Sequence, residues 1–321
     1  MSLPVLIISF SRVLNVLRLI DCLHNQGVEK IYLAIDGARE NDDDLQSQIE
    51  IQARSRTAEL NIDLKIWRRD SNLGPAVSVI TAIDWLFSNE ERGVIIEDDL
   101  MLSSDAIKYF DITLSQYSQN NNVFMITGSN FFDGIIPATA SVISTHYPVV
   151  WGWATWRDRW CDYRSALNRL QSMRIQGSSV ERRYWNTGLR RCLNGIKDAW
   201  DIPLVTYQRT HNFLTVLPPV NLVSNIGFDA FAGNTFIDEW PLNSRLGELS
   251  STAMINIRSQ DIGADTKICT YVDELFRERI YRINGFCTLP SKLSATIDII
   301  RYPQHKRAKN LIDRLSEIVL P

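Results

Sequence analysis

Three consecutive carboxylates, Glu97, Asp98 and Asp99, follow the apolar run Val94-Ile95-Ile96. Charges this close repel one another unless a cation or several hydrogen-bond donors compensate. Oxygen donors of this kind suit Mg²⁺ or Mn²⁺, which keep several waters and bind through one or two carboxylates together with substrate phosphates. A cation held there would neutralise charge growing on a leaving diphosphate. The plainer alternative is a solvated acidic turn ahead of a helix, where Asp and Glu favour the helix dipole. Position favours the cation. The triplet closes a buried strand, and open parallel sheets bind ligands beyond the carboxyl ends of their strands.

Positioning such a cluster requires a sheet, and the first 130 residues alternate between the periods of strand and helix. Leu3 to Ser9 is a continuous apolar run, as in a parallel strand buried on both faces. Val13 to His24 repeats apolar residues at helical spacing, and Lys30 to Ile35 is the next strand, ending at Asp36-Gly37. A polar helix over Asp42 to Leu60 and a strand over Asp63 to Trp67 follow. Next come a helix over Ala76 to Phe87, a strand over Gly93 to Ile96, a helix over Ser104 to Tyr117 and a strand over Val123 to Thr127. This alternation predicts an α/β fold: a doubly wound, mostly parallel sheet with right-handed crossovers and helices on both faces. After Gly134 the pattern loosens into an aromatic-dense stretch, Tyr147 to Tyr163, then an Arg-rich helical region to about Leu193. Pro218-Pro219 and the run Asn221 to Thr235 are expected to be loop. The division expected is 1–130 for the regular half, 131–240 for a less regular second half of the same domain, and 241–321 for a C-terminal helical extension.

A chain of 321 residues is long enough for one large domain or two small ones. Its net charge of −3 argues against nucleic acid as a partner, which would need a basic surface. Nine Trp residues suit the apolar faces of sugar rings, although they can equally fill a core. Five scattered Cys with no CxxC pair fit reduced thiols in a cytoplasmic protein. The apolar N-terminal run lacks the basic flank and small-residue cleavage site of a signal peptide, and no window approaches the ~20 apolar residues that span a bilayer.

Several segments then fall in a familiar order. "PVLIISFSR" (Pro4 to Arg12), "IYLAIDG" ending at Asp36-Gly37, "SNLGPAVSVITAIDWLF" with "GVIIEDDLMLSSDAIKYF", "MITGSN" and "YPVVWGWATWRDRW" together resemble the GT-A glycosyltransferases. The likeness is to N-acetylglucosaminyltransferase I and to bacterial surface-polysaccharide glycosyltransferases, and runs from about Leu3 to Thr235. It implies a UDP-sugar donor, with Arg12 and Asn72 in the donor pocket and Asp36 on the uracil. It places Asp98 on the ribose and Asp99 on the metal, Mn²⁺ or Mg²⁺. Gly152 is implied as a close backbone approach to the donor sugar, beside Trp153, with Trp151 and Trp156 as further stacking faces. Taken residue by residue, alternatives stand: Asp36-Gly37 is a common turn pair, and each Trp is more ordinarily core.

In the resembled enzymes the sugar is transferred with inversion, and the base that takes the acceptor proton sits in a Trp-Asp motif. "IKDAWDIPL" supplies Trp200-Asp201, so Asp201 is the implied base and Asp198 its neighbour in waiting. Asp201 ahead of Pro203 also suits a simple helix start. The resemblance implies a glycan acceptor, a growing bacterial surface polysaccharide that includes lipid-linked forms. The basic segment Lys306 to Ile318 would then rest on the membrane surface, although a solvated helix face fits it equally. One departure is Ala232-Gly233-Asn234-Thr235, where related sequences carry a late histidine near the metal; Asn234 is a poor metal ligand, and His211 is a substitute by residue type only. A nucleotidyltransferase would usually carry a glycine-rich loop after the first strand, and "SFSRVLN" has none. A retaining transferase, and a binding subunit without catalysis, remain alternatives on the same fold.

Overall fold

The computed structural model describes residues 2–39, 43–131, 143–227, 246–250 and 266–283. Its centre is an eight-stranded sheet of order β3-β2-β1-β4-β8-β6-β9-β7. β1 (Val5–Ser9) pairs in parallel with β2 (Lys30–Ile35) and β4 (Arg92–Glu97), and β2 with β3 (Asp63–Arg68). β8 (Trp153–Trp156) runs antiparallel between β4 and β6 (Val123–Thr127). β9 (Leu214–Leu217) is parallel to β6, and β7 (Ile143–Thr145) closes the far edge in the antiparallel sense. This is the doubly wound, mainly parallel α/β architecture that the alternation predicts.

Both faces of the sheet are covered, and the strand pleat shows how. Val5 and Ile7 point to one side, where they pack with α1 (Val13–Asn25), α2 (Asp43–Glu59) and α4 (Ala106–Gln116). Leu6 and Ile8 point to the other, toward α3 (Gly74–Asn89), α5 (Arg157–Ala166), α6 (Ser179–Leu193) and α7 (Asp201–His211). Successive residues of a buried parallel strand must all be apolar for this reason. α8 (Thr266–Ile283) joins the second face through Val272 and Phe276 and packs on β7.

The aromatic stretch, to which the sequence assigned no element, contains strand β8, whose four residues are all buried. Between the acidic triplet and α4, which agrees with the expected helix to within two residues, lies β5 (Leu100–Leu102). β5 forms an antiparallel ribbon with β10 (Val223–Asn225), which corrects the expected loop from Asn221 to Thr235. Among the described residues no helix is long and apolar enough to cross a membrane. Asn234 and the basic segment 306–318 lie outside the described residues.

Candidate functional site

The carboxyl ends of β1, β2, β3 and β4 all open at one edge of the sheet, because the four strands are parallel neighbours. Arg12, Asp36, Asn72 and the triplet Glu97-Asp98-Asp99 therefore converge there from four separate stretches of chain. β8 enters the same edge from the opposite direction, which brings Gly152 and Trp153 beside the end of β4.

Asp98 is the anchor. It is buried, and its Oδ2 accepts from Ser9 Oγ at 2.7 Å and from the Phe10 N–H at 3.1 Å. Its Oδ1 accepts from Arg12 Nη1 at 3.0 Å. A solvated acidic turn is thereby excluded, since this carboxylate is bonded into the end of β1. Asp99 is partly exposed and lies 3.8 Å from Arg12 Nη1. Its backbone oxygen accepts from the Ile226 N–H at 2.7 Å, which draws the chain after β10 over it. At Gly227 a side chain would run into the Asp99 carboxylate, so only glycine lets the backbone pass this closely.

Burial, followed by the charges of Asp99, Asp98 and Asp201, pushes the Glu97 carboxyl well above the ordinary carboxylate range, with Arg12 opposing the shift. Asp201 thus lies within the electrostatic reach of the triplet, although it is 102 positions beyond Asp99 in the chain (201 − 99). It opens α7 as a half-buried first-turn residue. Asp198 is employed elsewhere: its Oδ1 accepts from the Ala76 N–H at 3.1 Å, in the first turn of α3. That distinguishes the two acids of "DAWD". Asp98 and Asp99 beside Arg12 present carboxylate oxygens in a field that Glu97 and Asp201 make more negative. Oxygen donors of this kind fit a hard divalent cation such as Mg²⁺ or Mn²⁺.

Asp36 and Asn72 are joined to each other and to the start of α3. Asp36 is buried, and its Oδ1 accepts from the N–H groups of Gly37 (3.0 Å) and Leu73 (3.1 Å). Its Oδ2 accepts from Asn72 Nδ2 at 3.2 Å, which also donates to the Gly37 carbonyl at 2.9 Å. Burial raises the Asp36 pKa, and the donors of Leu73, Gly37 and Gly74 together with Arg69 hold it down. The reason is local. The N-cap of α3 is Leu73, which has no side-chain acceptor, and a helix start leaves N–H groups orphaned. Asp36 from β2 and Asp198 from the approach to α7 cap that helix from outside it.

The Trp153 ring departs from the expected stacking face. It is 0% exposed and stacks on Trp200 with centroids 6.0 Å apart, so its ring belongs to the core and not to a ligand pocket. Trp156 is buried beneath the Arg159 guanidinium, whereas Trp151 remains partly exposed against Phe131. Gly152 has φ +60°, and Val223 side-chain atoms lie 2.9 Å from where a Cβ would stand. Glycine is demanded there by backbone and packing. His211 ends α7, its Nδ1 on the Tyr207 carbonyl side at 2.9 Å and its ring stacked on Phe213. It stands at the opposite end of α7 from Asp201, about 15 Å away at 1.5 Å per residue, so it does not take the place of a late metal-side histidine.

Residue-by-residue reasoning had not singled out Ser9, the Phe10 amide, Glu97 as the strained acid, or Gly227. The signal for Ser9 is its place as the last residue of β1 beside β4, which only the pairing reveals.

No family model and no curated protein matches the sequence. Among solved structures, a UDP-glucose pyrophosphorylase complexed with UDP-glucose aligns at 9% identity and a TM-score of 0.36, over 68% of this chain and 90% of that one. A Bacillus anthracis protein assigned as a glucose-1-phosphate thymidylyltransferase, in complex with a sucrose, aligns at 9% identity and 0.40, over 81% and 97%. HddC from Yersinia pseudotuberculosis aligns at 11% identity and 0.31, over 49% and 77%. Scores this low carry no argument about substrate or reaction, which must rest on the carboxyl-edge cluster itself.

Proposed function

We propose that this chain is a metal-dependent, inverting glycosyltransferase. It moves a hexose or N-acetylhexosamine from a UDP-sugar to a hydroxyl of a glycan acceptor. The observation that supports this most is the shared field of Glu97, Asp98, Asp99 and Asp201, a cation cluster and a separate acid at the sheet edge where open α/β folds bind ligands.

In this proposal Asp99 holds the cation, and Arg12 with the Ser9–Phe10 backbone turn keeps Asp98 fixed beside it. The chemistry a bound Mg²⁺ or Mn²⁺ supplies is neutralisation of charge on the departing diphosphate. Asp201 receives the proton of the acceptor hydroxyl as its oxygen attacks the anomeric carbon. The bond from that carbon to the diphosphate breaks with its electron pair going to UDP. The buried Asp98 knot also keeps the arginine oriented before substrate arrives, which lowers the reorganisation cost of reaction. Trp151, as the partly exposed indole, is the stacking face offered to a sugar ring. The acceptor class, a bacterial surface polysaccharide, and a cytoplasmic site of action come from the sequence resemblance.

Asp201→Asn keeps the size of the side chain and removes its basicity. Turnover of a UDP-sugar should fall by about 10²–10⁴-fold while UDP binding persists, as read by coupled UDP release and calorimetry. Near-normal turnover in Asp201→Asn would contradict the assignment. So would a chain that instead makes UDP-sugar from UTP and a sugar 1-phosphate, with pyrophosphate released.

A further inference from the structure

At the far edge of the sheet, remote in the strand order from β1 and β4, α8 is docked on β7 by a compact group of metal-ligating side chains. His146 follows β7 directly, and Cys269 and Asp273 stand one helical turn apart on α8. His146 Nδ1 lies 2.7 Å from Asp273 Oδ2 and 3.5 Å from Cys269 Sγ, and the three ligand atoms all lie within 4.8 Å of one another. Cys269 and Asp273 are buried, whereas the His146 side chain is 20% exposed, which leaves a side open for entry.

We infer that this group is a second metal site, independent of the carboxyl-edge cluster, and that it takes a borderline cation of the Zn²⁺ class. A thiolate, an imidazole and a carboxylate are the ligand types such a cation prefers, whereas Mg²⁺ would be left with a sulfur it does not favour. Zn–N and Zn–O near 2.0–2.1 Å and Zn–S near 2.3 Å imply ligand atoms roughly 3.3–3.6 Å apart around a tetrahedral ion. The Nδ1–Sγ separation of 3.5 Å already meets this. The His–Asp hydrogen bond at 2.7 Å must open by roughly 0.6 Å, a side-chain adjustment. A cysteine nucleophile activated by a His–Asp pair is excluded by the same geometry, because thiol and carboxylate both meet Nδ1 rather than opposite ring nitrogens.

Around the three residues lie Arg209, Glu181 and Arg277, with Thr145 and Tyr147 as neutral neighbours. The ion would fasten the C-terminal helix to the edge strand that it covers.

Co²⁺ is the probe, since its thiolate complexes absorb by sulfur-to-metal charge transfer. Chelator-treated full-length protein should take one Co²⁺ per chain with this absorption, and Zn²⁺ should discharge it. Asp99→Ala should keep the band, and Cys269→Ala should lose it although Cys22, Cys161, Cys192 and Cys287 remain. Cys269→Ser serves as a second variant should alanine impair folding. Absence of the band in wild-type protein, or a band that survives in a folded Cys269 variant, would overturn the site. Failure of the transferase assignment would leave this result untouched.

Discussion

Two groups of buried or half-buried acids sit at different places in this sheet, and they are balanced in opposite ways. At the carboxyl edge of β1 and β4, Glu97, Asp98, Asp99 and Asp201 share one field, and Arg12 is the base that bonds Asp98 and approaches Asp99. On the other side, Glu181 and Asp273 are met by Arg209, Arg277 and His146. Glu181 Oε1 accepts from Arg209 Nη2 at 2.9 Å and from Tyr147 Oη at 2.6 Å, joining α6, α7 and the strand edge. The Glu181–Arg209 pair at the centre of the matched group is a clasp, and the inferred second metal site lies beside it on Asp273. The unmatched group carries charge that a cation from outside would relieve.

Breaking the clasp should have the larger effect on stability. Glu181→Gln leaves the Arg209 guanidinium, 5% exposed, without its nearest charge, at a cost of about 3 kcal/mol. Urea unfolding would show it as a lower midpoint at unchanged slope. The double variant Glu181→Leu with Arg209→Met should recover most of that loss, because the two most buried charges go together, Asp273 keeps His146 and Arg277 is part-exposed. A loss below about 0.5 kcal/mol in Glu181→Gln would mean that the clasp is not the matched group described here.

The smaller effect has the opposite sign. Glu97 is an acid whose pKa rises on folding, so the folded chain binds more protons than the unfolded chain between the two values. Metal-free protein should therefore lose stability as pH rises above the ordinary carboxylate range toward the raised value. Glu97→Gln should flatten that decline and stabilise metal-free protein near pH 7 by about 1 kcal/mol. Thermal unfolding in EDTA across pH 4 to about 8 checks both. A variant less stable than wild type throughout would show that the edge cluster is not short of positive charge.

How far these two groups were legible in sequence differs for a physical reason. β1 to β4 and their helices follow from continuous apolar runs and helical spacing, and the observed bounds of β2 and β6 agree with the expected ones. The triplet and its place at a strand end were legible for the same reason. Its partners were not: Ser9 and Phe10 reach Asp98 only because β1 pairs with β4 across almost 90 residues. α7 escaped notice because Ile202 to Arg209 are buried all round, which erases the amphipathic period, and Pro203 sits in its first turn. α8 was given no bounds within the expected C-terminal helical extension, because Cys269 and Asp273 share its buried face with Val272 and Phe276, which breaks the apolar stripe. Both residues belong to the second site, and Asp273 also reaches Arg209 of the clasp. The aromatic stretch invited a ligand-binding interpretation, yet Trp153 is core; a strand four residues long between β4 and β6 offers too short a pattern to identify.

The central claim is that Asp99 and its neighbours hold a cation and a nucleotide diphosphate together. Calorimetric titration of UDP into the full-length protein, with Mn²⁺, with EDTA, and in Asp99→Ala, tests it most directly. Binding that requires Mn²⁺ and disappears in Asp99→Ala is the expected result. UDP binding unchanged by EDTA and by the substitution, or no UDP binding in any condition, would contradict it.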